Sequence, residues 1–339
     1  MTSKPLPFHY ALYYMALASG FSAVVFIINN FLIHLLGWQG AFVTLSAMGL
    51  MSGDEADSVT ATGLLQLVGF IAALALPVYM TMKARKGDFL SYLSFHEARF
   101  STYASFIISF AFWGVMLVGV VDAFISFLRI EGMLPAVFGE QMASDLGRSV
   151  WRGSYIHMPL LAAAALIATR KRGISFIWLA TLIVVAELLI VVARFIFSYE
   201  QAFMGDLVRF WYAALFLFAS AHTLVEEGHV RVDVLYAGLS EVRKSLSNVI
   251  GAAILGVPLC WVILSRGLWE KTSVINGALL KFETSQSGFG MYVKYLMAGF
   301  LIIFAFSMIL QFSSFIMTHL QKHIQESNAS SDASAKAES

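Results

Sequence analysis

The chain has 339 residues, 59% hydrophobic and 13% charged, with 29 phenylalanines, a mean hydropathy of +0.76 and a formal net charge of +1. Soluble proteins carry roughly 25% charged residues. This composition therefore excludes a soluble globular enzyme, a disordered chain and a nucleic-acid binder, and leaves an all-α integral membrane protein. The single cysteine, Cys260, lies in an apolar run and excludes an internal disulfide framework or a Cys-based metal cluster.

A helix crossing the hydrocarbon core needs about 20 mostly apolar residues. That ruler gives about eight transmembrane helices. They run from Tyr10 to Leu36, Ala61 to Met82, Phe100 to Leu128 and Gly153 to Thr169. After these come Ile174 to Ser198, Leu207 to Val225, Leu246 to Leu268 and Phe289 to His319. Ala16-Leu17-Ala18 imitates a signal-peptidase site, but the apolar run continues through Phe21, Val24 and Phe26 to Leu36, so the first span is expected to be retained.

Lys83-Ala84-Arg85-Lys86 and Arg170-Lys171-Arg172 fall in loops on the same side, while the first opposite loop carries Asp54, Glu55 and Asp57. By the positive-inside rule, both termini are cytoplasmic. Arg170-Lys171-Arg172-Gly173 also divides the chain into two blocks of four spans, with 325–339, rich in Ser and Ala, as an expected disordered tail.

Leu235, Leu239, Val242, Leu246 and Val249 recur on one helical face, with Glu241, Arg243 and Lys244 between them. This pattern predicts an amphipathic cytoplasmic surface helix on anionic membrane phospholipid, or alternatively an extension of the seventh span. Trp38, Trp151, Trp211 and Trp269 fall at expected outer boundaries, as an aromatic belt.

Within the spans, Glu187 and Asp122 are the acids that demand partners. Glu187 is expected either to be buried between helices or to meet a polar group of another subunit. Arg148, Arg152, Arg209 and Lys294 near the outer helix ends are candidates for docking an acidic partner protein.

Three short elements resemble a known family. Arg194-Phe195 ends the fifth span, Gly205-Asp206-Leu207-Val208-Arg209-Phe210 opens the sixth, and Glu227-Gly228-His229-Val230-Arg231-Val232-Asp233 follows it. Their order and membrane position are similar to those of the DctQ-type small permease of tripartite ATP-independent periplasmic (TRAP) transporters. The middle element departs from that pattern, with Gly205 where the family carries a first Glu.

The resemblance covers about Ile174 to Leu320. It implies a four-helix small permease over 173–324, preceded by an N-terminal extension of about four helices over 1–172. It further implies a non-enzymatic subunit without its own transport site or cofactor, in the bacterial inner membrane. Its partners would be a large elevator-type permease, which holds the substrate and sodium sites and uses the sodium gradient, and a periplasmic binding protein that delivers a small organic anion. The small subunit would act as a static scaffold and help dock the binding protein. Glu187, Arg194, Asp206, Arg209, Glu227, His229, Arg231 and Asp233 then become interface or structural candidates, with Arg148, Arg152 and Lys294 as docking candidates.

Two other classes compete. A self-sufficient carrier or channel calls for spans broken at matched midplane positions, whereas Pro77, Pro159 and Pro258 lie toward span ends. A haem-binding anchor calls for two facing histidines at one depth, for which His34 and His157 are the candidates and His222 has no counterpart. No His-Glu-x-x-His, phosphate-loop or Gly-x-Ser-x-Gly motif occurs.

Overall fold

A computed structural model describes residues 5–52, 58–170, 176–199, 202–225, 236–285 and 290–337. Every regular element among them is helical. The first block comprises α1 (Pro7–Leu36), α2 (Ala41–Ala47), α3 (Ala61–Lys86), α4 (Phe89–Ile130), α5 (Leu134–Phe138), α6 (Glu140–Leu146), α7 (Ser149–Arg152) and α8 (Met158–Arg170). The second comprises α9 (Phe176–Phe197), α10 (Ala202–Val225), α11 (Glu241–Gly251), α12 (Val257–Leu268), α13 (Val274–Leu280) and α14 (Lys294–Ala337). One π turn, Gly153–His157, joins α7 to α8, and another, Ala252–Gly256, joins α11 to α12.

Seven helices among the described residues are long and apolar enough to cross a membrane. The expected fourth span, Gly153 to Thr169, is helical but not one of the seven. The helical run that contains it, from Ser149 to Arg170, carries Arg152, His157 and Pro159 in its first turns, which lower its hydropathy. The first two are wholly buried, so they serve an internal polar site rather than lipid.

Of the two forms expected for the face between Leu235 and Val249, its described part takes the second, an extension of the seventh span, because α11, the π turn and α12 form one run, Glu241–Leu268. Its first turns are held by His323 Nδ1, which donates to Val242 O (3.1 Å), and by Ser245, which donates to Glu326 (3.3 Å). Two other expectations are corrected. The tail after residue 325 continues α14 to Ala337, because extending an anchored helix adds one hydrogen bond per residue without a new nucleus. Trp211 does not sit in an outer belt, being 4% exposed and donating to Val115 O (3.3 Å).

The chain forms two compact units. The first takes residues 1–104, 224–262 and 308–339. Tyr13, Leu17 and Ala23 of α1, Leu93 and Phe100 of α4, and Ile309, Ile316 and Leu320 of α14 make its interior. Because lipid tails are as apolar as leucine, helix association here relies on close packing and polar ties. Ser313 donates to Ala16 O (3.0 Å), Trp261 to Ser19 (2.8 Å), and Tyr13 OH lies 2.8 Å from His96 Nδ1.

The second unit takes residues 105–223 and 263–307. Its core joins Phe112, Val115 and Val118 of α4 to Leu179, Ile183 and Ala186 of α9, Phe210, Ala214 and Phe218 of α10, and Phe300 of α14. Gly119 lets α10 approach α4: a Cβ there would stand 2.4 Å from the Trp211 indole nitrogen.

Candidate functional site

A fully buried polar cluster lies in the second unit. Asp122 and Ser126 are one turn apart on α4 and share a face. Arg152 closes α7 and is 0% exposed. Its guanidinium donates to Asp122 Oδ1 (2.9 Å) and Ser126 Oγ (3.1 Å), and through Nε and Nη2 to Leu146 O (2.9 and 2.7 Å). It also lies 4.2 Å from the centre of the Tyr292 ring.

His157 completes the cluster. Nε2 is 3.0 Å from Asp122 Oδ1, and Nδ1 is 2.8 Å from Tyr295 OH. With one ring proton placed on Nε2, that nitrogen donates to the carboxylate and Nδ1 accepts from the phenol, which satisfies all three groups. The π turn explains how Arg152 and His157 both reach α4. In an α-helix, residues five apart point about 140° away from each other, whereas a π turn closes over five residues. Gly153 opens the space beside them, since a Cβ there would meet the Phe282 ring at 2.2 Å.

The other carboxylate oxygen holds the backbone that leads into α14. Asp122 Oδ2 accepts from Tyr292 N–H (2.9 Å), and Asp206 Oδ2 on α10 accepts from Met291 N–H (3.0 Å) and from Ser285 Oγ (3.2 Å). Two consecutive amides are thus fixed by carboxylates from two helices. Arg129 adds a third tie, donating to Gly290 O (2.7 Å) and to Tyr292 OH, while Tyr292 OH donates to Gly147 O (2.9 Å). Charge balances at the core of this site, with Arg152 against Asp122, as burial requires.

The remaining candidates fall in different surroundings. Arg209 pairs with Asp206 (3.1 Å) and is 71% exposed. Arg148 is exposed and paired with Asp145, and Lys294 is paired with Glu283 (2.6 Å). Arg152 is corrected as a docking residue, because its guanidinium is spent inside the cluster. Haem ligation by His157 is likewise opposed by the engagement of both ring nitrogens.

Glu187 lies on α9, exposed, and makes no hydrogen bond or ion pair among the described residues; it is not the buried, internally partnered acid of one expectation. Arg194 is also on the exposed surface of α9. Only Leu179, Ile183 and Ala186 of that helix are buried, a narrow stripe at spacings of four and three. Val184, Leu188, Val191 and Phe195 are all exposed. Glu227, His229, Arg231 and Asp233 lie outside the described residues.

Residues 180–322 match the family model described as tripartite ATP-independent periplasmic transporters, DctQ component. This segment, less than half of the chain, is a DctQ-like domain. No curated protein and no solved structure matches the chain. The matched segment supplies Asp206, Arg209, Tyr292, Lys294 and Tyr295 to the geometry above. Asp122, Arg129, Arg152 and His157 come from the helices that precede it. The buried cluster therefore stitches the N-terminal extension to the backbone that opens the last helix of the DctQ domain.

Proposed function

We propose that the chain is the static small membrane subunit of a TRAP transporter for small organic anions, working beside a large permease and a periplasmic binding protein. The family match gives the class, and the exposed face of α9 carries the reading. A carboxylate facing hydrocarbon near the middle of a span costs a few kcal/mol on insertion scales. Glu187 has no partner among the described residues, so a second membrane protein that offers it a cation or a hydrogen-bond donor removes that cost. The large permease is that protein on this reading.

The static role follows from where the other charges went. Asp122, Arg152, Asp206 and Arg209 bind one another or fixed backbone, a use of charge suited to a brace rather than a path for ions. Substrate and sodium sites then belong to the large permease, and this chain carries no cofactor and no catalysis. The extension enlarges the brace through the buried cluster. Both termini face the cytoplasm in this account, which places Arg148, Arg209 and Lys294 on the periplasmic side, where their exposed cations meet the binding protein.

Copurification tests the reading. The tagged chain expressed in its native membrane retains the large permease in stoichiometric amount, Glu187→Gln weakens retention, and Glu187→Lys abolishes it. Undiminished retention by Glu187→Lys, or anion uptake by the chain alone in proteoliposomes, contradicts it.

A further inference from the structure

The first unit contains a second built site. Two crevices adjoin where α1, α3 and the start of α4 meet. One, of about 310 Å³, is mainly apolar and runs along Tyr14, Val78 and Met82. The other, of about 700 Å³, is more polar and opens at Gly87 and Asp88. Tyr10 and Arg85 line both.

The chemistry changes in order along α3. Met82 faces the apolar crevice beside Thr81, whose hydroxyl is enclosed and has no hydrogen-bond partner. Arg85, one turn on and so about 6 Å further along the axis, stands 6.0 Å from the centre of the Tyr10 ring. Lys83, Arg85 and Lys86 are exposed and make no ion pair among the described residues. Asp88 is occupied, because it caps α4 by accepting from Leu90 N–H (3.2 Å).

An apolar slot, then an unsatisfied hydroxyl, then a cation is the sequence of groups that an acyl chain, a glycerol ester and a phosphate require. We propose that this crevice holds one anionic phospholipid, with an acyl chain along Tyr14 and Met82, the ester region at Thr81 and the phosphate at Arg85. The apolar slot decides between a lipid and a free phosphate, since inorganic phosphate makes no use of it.

Native mass spectrometry of the full chain in detergent tests this, with dioleoyl phosphatidylglycerol, dioleoyl phosphatidylcholine and inorganic phosphate as probes. One phosphatidylglycerol is retained per chain, at least about tenfold more tightly than phosphatidylcholine, and phosphate does not displace it. Arg85→Gln lowers that retention about tenfold. Met82→Trp, which fills the slot and leaves the cation, lowers it as well. Both positions are exposed on α3, so both variants keep wild-type circular dichroism. Equal retention of the two lipids marks ordinary boundary lipid and overturns the proposal. Displacement by phosphate assigns the pocket to free anions and overturns it too, as does wild-type retention in either variant.

Discussion

At the scale of single residues, Asp122 is the hinge of the second unit's polar chemistry. It accepts from a guanidinium, an imidazole and a backbone amide without exposure to solvent. Removing one member of a buried pair leaves the other charge uncompensated, at a cost of about 3–5 kcal/mol. Asp122→Ala and Arg152→Ala are each expected to lower stability by that order, and the double variant by clearly less than the sum, measured by thermal unfolding in detergent. Additive losses, or singles that cost under about 1 kcal/mol, contradict the cluster. His157→Phe keeps the ring and strands Tyr295 OH, with an expected loss of about 1–3 kcal/mol in the same assay; an unchanged transition contradicts it.

The residues of this cluster are present in the sequence, but the cluster is not legible there. Asp122 and Arg152 have opposite charges near the outer ends of neighbouring spans, and that shared depth was available as a signal. Depth gives no azimuth, however, and Arg152 read equally well as an exposed docking cation. Trp211 failed for the same reason, since its boundary position suggested an aromatic belt and only the gap at Gly119 turns it into core. A motif marks Asp206, but its bond to Met291 N–H leaves no trace in the sequence, since one partner is backbone.

At the scale of elements, hydropathy located the spans well and their ends less well. α4 begins at Phe89 rather than near Phe100, because a helix capped by Asp88 continues through polar residues that the apolar ruler discards. Ser149 to Arg170, counted as a span by the same ruler, is not among the seven apolar helices, since polar residues spent on internal bonds lower its hydropathy. Amphipathic periodicity marks a helical face at Val242, Leu246 and Val249 of α11, with Leu239 in the turn before it, but does not distinguish lipid from α14 as the surface beneath.

Close packing of α4 on α10 gives an element-scale prediction. Gly119→Val places methyl groups where the Trp211 indole sits, with a loss of about 1–3 kcal/mol in thermal unfolding. Gly119→Val with a wild-type transition contradicts the approach seen here.

At the scale of the whole molecule, the DctQ domain and the extension are not independent by chemistry. The backbone at Gly290 and Tyr292 and the hydroxyl of Tyr295 take their partners from Asp122, Arg129 and His157. Residues 173–324 expressed alone are expected to yield little folded protein in detergent. Coexpression of residues 1–172 as a separate chain restores the yield. A monodisperse, thermally stable 173–324 fragment contradicts that dependence.

The central claim, that α9 is the face on which a static small subunit meets its permease, is tested most directly by photo-crosslinking in native membranes. A benzophenone side chain at Val184 or Leu188, exposed beside Glu187, is expected to capture the large permease. One at Leu65, equally exposed on α3, captures lipid. Crosslinks to the permease from Leu65 and none from Val184 or Leu188 contradict the account.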